Sequence, residues 1–203
     1  MKKISLLVVA LMLVFSLGLT SCDINNPYIY KLNGSGDGYS VSVVQYPGIF
    51  HLDALVIPNE YNGLPVTSIE NGGFAGWDGF FSVIIPGSVE SIGTYAFGSC
   101  DSLHYVYVGN GAKVIEEYAF ANCMMLVEVI LPATIKRIDT CAFAFCVSLE
   151  KITFEGTVDQ WKAIEKSDGW YSDTGVDGKF TVVCSDGVIA VPGHENTLPD
   201  IEQ

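Results

Sequence analysis

The chain has 203 residues, of which 49% are hydrophobic, and its 10 basic and 23 acidic residues give a formal net charge of −13. This length suits one well-buried domain with appendages rather than two globular cores. The acidity argues against binding to nucleic acid or to anionic membrane surfaces, because both require clustered Lys and Arg.

Residues 1–21 have the order of a secretory signal peptide: two lysines precede an apolar run, Ile4 to Leu19, that is short for a membrane span. The segment Leu19–Cys22 resembles the lipobox of bacterial lipoproteins, in which the Cys is acylated and becomes the first mature residue. This resemblance implies a lipid on Cys22 and an extracytoplasmic mature chain of net charge −15, held on a bacterial membrane through that lipid only. Ordinary secretion with a free Cys22 is the alternative.

The next two segments are predicted to lead into the main domain. Residues 22–38 are rich in Asn, Gly and Ser, which predicts a tether. Residues 39–65 are predicted to form N-terminal capping strands and the first coil. The stretch 39–43 alternates as a strand should, and 54–58 resumes extended structure after a turn at 46–48, so a hairpin is expected.

Residues 66–155 carry apolar columns that recur every 23 residues. The Phe column consists of Phe74, Phe97, Phe120 and Phe143. The columns that keep step with it are Ile69, Ile92, Ile115 and Ile138; Cys100, Cys123 and Cys146; Leu103, Leu126 and Leu149; Val83, Val106, Val129 and Ile152; and Ile85, Val108, Leu131 and Phe154. A period in the 20s is typical of solenoids, in which each unit buries its apolar face on the next.

Each repeat is predicted to contain one strand and one return. Leu103 to Val108 alternates with period two and carries β-branched residues, which favours a strand. Residues 115–126 have apolar side chains about three residues apart, which favours a short helical or 3₁₀ turn. The predicted fold is an α/β leucine-rich-repeat solenoid with 23-residue coils, a curved parallel sheet on its concave face, turns on its convex side and a cap at each end.

The repeat unit reads Leu-x-x-Val-x-Leu-Pro-x-x-Ile-x-x-Ile-x-x-x-Ala-Phe-x-x-Cys-x-x-Leu. It resembles the BspA-like leucine-rich repeat of bacterial surface proteins over residues 50–155. Trp77 replaces Cys in the first copy, and Gly109 and Glu155 stand where Pro is expected. The resemblance implies a surface-displayed module that binds host or bacterial proteins in adhesion.

Residues 156–190 are predicted to form a C-terminal cap, because an end coil must shield its apolar face. The stretch 157–166 predicts a helix with Thr157 as its N-cap, and 180–184 predicts a last strand. Residues 191–203 are predicted to be a flexible tail.

No constellation for catalysis or metal binding is visible in the sequence. The three histidines lie in separate regions and no CxxC pair occurs, so we expect no metal, no cofactor and no enzymatic activity. The repeat cysteines are expected to be buried apolar side chains, whereas the pairing of Cys141 and Cys184 is left open.

A candidate partner-binding site follows from strand alternation, which turns the residues between the inward columns to the concave face. The apolar outward row is Val56, Ile84, Tyr107, Ile130 and Thr153. The candidate site residues are Ile84, His104, Tyr105, Tyr107, Glu128, Ile130 and Lys151. Such an apolar row often marks a protein interface, although β-branched residues there can simply satisfy strand propensity.

Three functions are compatible with this pattern. A lipid-anchored module that binds a protein partner is favoured, and a structural or assembly component of the cell envelope is the alternative. An enzyme acting on polysaccharide or peptide is the least favoured, because the carboxylates are scattered. The sequence leaves the oligomeric state open.

Overall fold

The computed structural model describes residues 28–43, 52–175 and 179–191. Within them the chain winds through successive coils, and each repeat coil adds one strand to each of two parallel sheets. The strands are β1 (Tyr28–Leu32), β2 (Tyr39–Val43), β3 (Leu52–Val56), β4 (Glu60–Tyr61), β5 (Leu64–Ile69), β6 (Phe80–Ile85), β7 (Ser91–Ile92), β8 (Tyr105–Val108), β9 (Val114–Ile115), β10 (Glu128–Leu131), β11 (Arg137–Ile138), β12 (Lys151–Phe154), β13 (Glu165–Lys166), β14 (Phe180–Val183) and β15 (Val188–Val191). The described residues include one helix, α1 (Val158–Ala163).

The long-strand sheet has the order β15-β14-β12-β10-β8-β6-β3. Its strands are parallel from β3 to β14, and β15 is added antiparallel. Val83 lies beside Val106, which lies beside Val129, so one column of the repeat becomes one row of the sheet. The predicted strand of each repeat and its inward valines are therefore confirmed.

A second, short-strand sheet runs along the other side of the coils, with the order β1-β2-β5-β7-β9-β11-β13. It aligns Ile69, Ile92, Ile115 and Ile138, all of which are buried. This sheet could not be predicted from the sequence, because strands of two residues are too short to show alternation.

The return stretch of each coil consists of tight turns with two left-handed positions. Tyr95, Tyr118 and Cys141 occupy one position, with φ of 55° or 56°, where the first coil has Gly72. The turns are closed by bonds such as that from Ala96 N to Gly93 O, which has the spacing of a 3₁₀ turn. Turn N–H groups also donate to the next coil, as Phe97 N does to Ala119 O at 2.8 Å. This inter-coil ladder holds non-glycine residues in a conformation that normally favours glycine.

The core is a stack of phenyl rings along the solenoid axis. Successive rings of Phe74, Phe97, Phe120 and Phe143 are 5.1, 5.4 and 5.3 Å apart and within 12° of parallel. Each ring is essentially inaccessible to solvent. The predicted Phe column is thus confirmed as the centre of the core.

The predicted hairpin between residues 39–43 and 54–58 is wrong. β2 pairs with β1 and β5 in the short-strand sheet, whereas β3 pairs with β6 in the long-strand sheet. The two stretches are the two strands of a single coil, and solenoid coils pair with their neighbours rather than with themselves. Strand β1 itself lies within residues 22–38, for which the sequence predicts a tether.

Four tyrosines build the N-terminal end of the solenoid. Tyr30 stacks on Tyr61 with ring centroids 3.8 Å apart, and Tyr39 meets both rings edge-on. Tyr61 is placed by β4 and β5, which are joined through Asn62 and Gly63, both with positive φ. This is the sequence and geometry of a two-residue hairpin turn. Tyr28 donates from its hydroxyl to Val56 O at 2.8 Å, which ties β1 to the long-strand sheet.

The C-terminal end is covered by α1 and by the β14–β15 hairpin. Thr157 is confirmed as the N-cap, and with Gln160 it forms a reciprocal capping box. Trp161 is buried against Phe154, and Trp170 meets Trp161 edge-on. These aromatic rings shield the last repeat from water, as a terminal cap must.

Candidate partner-binding surface

Strand alternation gives the long-strand sheet an outer face that points away from the core. In β8, Val106 and Val108 are buried, whereas Tyr105 and Tyr107 are half-buried. The first row of this outer face is Val56, Ile84, Tyr107, Ile130 and Thr153, and the second row is Ala54, Ser82, Tyr105, Glu128 and Lys151.

The first row is apolar but unevenly accessible. Val56 is 39% exposed, and Ile84 beside it is only 3% exposed although it lies outside the contiguous core. Tyr107 and Ile130 have intermediate exposure. Because Ile84 is already covered, the apolar residues of this row that remain accessible are Val56, Tyr107 and Ile130, and Thr153 beside them is also partly exposed.

Tyr107 is the polar group at the centre of the first row. Burial, and secondarily the Glu155 carboxylate, raises the pKa of Tyr107 above the ordinary value for a phenol. The hydroxyl therefore stays protonated at neutral pH and can both donate and accept a hydrogen bond. An aromatic ring with a polar tip on an apolar row is suited to a protein interface.

The second row carries an ordered charge pair. Lys151 Nζ lies 2.9 Å from Glu128 Oε1, and Thr153 donates to the same oxygen at 2.9 Å. Both charged side chains are partly exposed, so the pair contributes only about 0.2 to 1 kcal/mol to stability. Its main effect is to fix the two side chains on the outer face.

Aromatic side chains meet where β6 and β8 begin. Phe81 stacks on His104 with ring centroids 4.0 Å apart and 18° between planes, and Tyr105 lies 5.6 Å from Phe81. His104 Nδ1 lies 2.8 Å from Ser102 O. Because a carbonyl oxygen only accepts, Nδ1 must donate, and this bond fixes the imidazole on Phe81. Phe81 remains 44% exposed.

A groove of about 330 Å³ opens beside this aromatic pair. Three aspartates, Asp53, Asp78 and Asp101, line it together with Phe81, His104 and Met125. This groove was not predicted from the sequence, although Asp78 and Asp101 stand at equivalent positions of successive repeats. That periodicity was the available signal, and the structure places the pair in contact, with Asp101 N donating to Asp78 Oδ1 at 2.7 Å.

The predicted site residues thus fall into neighbouring groups. Ile84, Tyr107 and Ile130 are consecutive in the first row, and Tyr105, Glu128 and Lys151 are consecutive in the second. His104 lies at the strand entrance on Phe81. Cys22, the predicted lipid attachment site, is outside the described residues.

Within residues 28–43, 52–175 and 179–191, no group of three or more His, Cys, Asp or Glu side chains is arranged to hold a metal ion. No helix in the same ranges has the length and hydrophobicity needed to span a membrane.

Stacked coils with two parallel sheets and buried apolar columns define a leucine-rich repeat solenoid. A family model described as "BspA type Leucine rich repeat region (6 copies)" matches residues 50–164, more than half of the chain. The chain belongs to this BspA-type leucine-rich repeat family. Comparison with curated proteins yields no match.

Solved structures support the same fold. A leucine-rich repeat protein of T. pallidum (TpLRR) is 26% identical, with a TM-score of 0.62 over 72% of this chain and 64% of its own. A leucine-rich repeat protein of Bacteroides ovatus is 21% identical, with a TM-score of 0.54 over 75% of this chain and 45% of its own. The pneumococcal vaccine antigen PcpA is 20% identical, with a TM-score of 0.55 over 78% of this chain and 49% of its own. The chain therefore spans less than two thirds of the length of each of these proteins.

Proposed function

We propose that this chain is a surface-displayed module, anchored by a lipid on Cys22, that binds a protein partner through the outer face of its long-strand sheet. The observation that carries the proposal is the first row, where Val56, Tyr107 and Ile130 keep apolar surface accessible on a regular sheet. Exposed apolar patches of this kind mark interaction sites, and tyrosines are common anchors within them.

The fold supports the same conclusion. Solenoids present one extended face to their partners, and the proposal assigns that role to the long-strand sheet as the concave side. The side chains on this face are supported from below by fully buried valines such as Val83, Val106 and Val129. A rigid support lowers the entropy lost when a partner binds.

Membership of a repeat family described from bacterial surface proteins supports display outside the cytoplasm. The apolar run and the segment Leu19–Cys22 supply a route to that location. A single lipid-modified residue gives membrane attachment without a spanning helix. The acidic balance of the chain favours solubility of the displayed domain.

The proposal is tested by retention of partners on the immobilised soluble chain, residues 22–203 carrying Cys22→Ser, so that β1 is kept. Extracellular matrix proteins and bacterial envelope extracts are passed over it, and we expect a defined protein to be retained. Size-exclusion chromatography of the same sample separates the alternative function. A stable oligomer that buries Tyr107, with no retained protein, would identify an envelope assembly component instead.

A further inference from the structure

The groove beside Phe81 and His104 combines an exposed aromatic surface with negative charge. Its apolar lining includes Phe81 and Met125, which are 44% and 47% exposed. At about 330 Å³ it is at the lower end of the sizes found for small-molecule sites, about 300 to 1,000 Å³. It therefore accommodates one side chain of a partner rather than a folded element.

Three carboxylates give the groove a negative charge. Asp53, Asp78 and Asp101 are all exposed, and no ion pair among the described residues involves any of them. One oxygen of Asp78 accepts the Asp101 N–H, which fixes that carboxylate and leaves its second oxygen for a ligand. A cationic group is the complement of this lining.

The other residues of the lining indicate the kind of cation. The three aspartates do not form a cluster that could hold a metal ion, within the ranges that the structure describes. A guanidinium group presents five donors in one plane and can meet separated carboxylates while its face stacks on an aromatic ring. The stacked pair Phe81–His104 offers such a ring surface at the groove.

We infer that this groove binds an arginine side chain of the protein partner. The inference deepens the proposed function, on which it rests for the existence of that partner. The guanidinium lies on Phe81 and donates to the carboxylates of Asp53, Asp78 and Asp101.

The surroundings favour an arginine within a polypeptide. In the next two coils, the positions equivalent to Asp78 and Asp101 are Met124 and Val147, which are exposed, as is Phe145. The edge of the solenoid thus changes from acidic to apolar along its length. A partner segment with an arginine followed by apolar residues matches both parts, whereas a free polyamine matches only the acidic one.

The test is a titration of the soluble chain with the peptide acetyl-Gly-Arg-Gly-amide, followed by NMR of the backbone amides. We expect shifts confined to residues around the groove. A peptide with citrulline in place of arginine should bind roughly tenfold more weakly, because it loses the charge and keeps the shape. The double variant Asp53→Asn/Asp101→Asn should lose roughly tenfold, and Phe81→Leu about threefold.

The matched control is Glu117→Gln/Asp168→Asn, which removes the same charge from exposed positions elsewhere. It should keep its affinity within about twofold, since distant exposed charges are screened.

Equal binding of the citrulline peptide, or an equal loss in the control, overturns the inference. Displacement of the arginine peptide by millimolar spermidine, with identical shifts, would overturn the assignment to a polypeptide. A Tyr107 variant that no longer binds the partner but still binds the arginine peptide would show that the groove is intact. Failure of the arginine inference can therefore be distinguished from failure of the proposed function.

Discussion

Cys123 Sγ donates a hydrogen bond to the carbonyl oxygen of Phe97, 26 residues earlier, at 3.0 Å. Cys100 and Cys146 make the same bond to the Phe of the preceding coil, at 3.2 and 3.1 Å. In the last coil Thr174 replaces Cys and donates to Phe143 O. From the second copy onwards this repeat position therefore carries a small side chain with a donor, which bonds to a buried carbonyl of the preceding coil.

Truncation in the core should separate packing from this hydrogen bond. Phe120→Ala removes a fully buried ring between Phe97 and Phe143 and should cost about 3 to 5 kcal/mol of unfolding free energy. Cys123→Ala removes little volume and one thiol donor, and should cost about 1 to 2 kcal/mol. Denaturant unfolding measures both. Equal, large losses would indicate that Cys123 is held by more than packing and a single bond.

Thiol reactivity should follow burial. The ladder thiols are fully buried, and burial raises the pKa of Cys146 to about 12. Burial also raises the pKa of Cys184, whereas Cys141 is partly exposed. Since the thiolate is the nucleophile, iodoacetamide at mildly alkaline pH should modify Cys141 first in the folded Cys22→Ser chain. Mass spectrometry of the digest identifies the site, and early modification of Cys123 would contradict a closed core.

Lys166 should give the C-terminal cap a pH dependence. Its Nζ donates to Trp161 O at 2.5 Å and to Ile164 O at 3.0 Å, and burial lowers the pKa of Lys166 from 10.5 to about 8. Between these values the unfolded chain binds more protons than the folded chain, so this residue makes the unfolding free energy rise with pH. Below about pH 8 both states are protonated and its contribution is constant.

The measurement compares the unfolding free energy of the wild type and of Lys166→Met at about pH 7.5 and pH 9.5, so that groups common to both proteins cancel from the difference. The wild type should gain stability relative to the variant over this interval. Parallel pH profiles would show that Lys166 titrates alike in both states.

Much of the fold could be predicted because each repeat buries the same apolar positions against the next repeat. The Phe and Ile columns are buried where their period predicts, and Thr157 caps α1. The left-handed turns could not be predicted, because Tyr95 and Tyr118 have positive φ and tyrosine seldom adopts that conformation. Strand β1 was missed because its tyrosines become ordered only against partners distant in sequence, such as Tyr61.

For the candidate site, only the outward orientation of its side chains could be predicted from the sequence. Alternation identifies Tyr107 as outward, and the structure gives it intermediate exposure. Alternation gives the direction of a side chain but not how far its neighbours cover it, so the low exposure of Ile84 could not be predicted. The groove depends on Asp53 in β3 approaching Asp78 and Asp101. Asp53 lies between Leu52 and Ala54, which pair with Phe80 and Ser82, so it does not share the repeat position of the other two aspartates and no period relates them.

Lipid anchoring should depend on a single sulfur atom. In cells that express the full chain, Cys22→Ser should move the protein from the membrane fraction to the soluble fraction, because the acylated Cys would be its membrane attachment. Salt-washed membranes are compared by immunoblot with the wild type. Retention of the variant on washed membranes would show that the anchor is elsewhere. Cys141→Ser is the control and should leave the distribution unchanged.

The central claim, that the outer face of the long-strand sheet binds a protein partner, is tested most directly by Tyr107→Glu. The control is Tyr95→Glu, which alters an exposed tyrosine in the return turns. Partner retention and melting temperature are measured for both. We expect Tyr107→Glu to abolish retention with a melting temperature within a few degrees of the wild type, since a surface change usually costs within about 0.5 kcal/mol. We expect Tyr95→Glu to retain the partner. Unchanged partner affinity in a folded Tyr107→Glu variant would contradict the account and place the binding site on another surface.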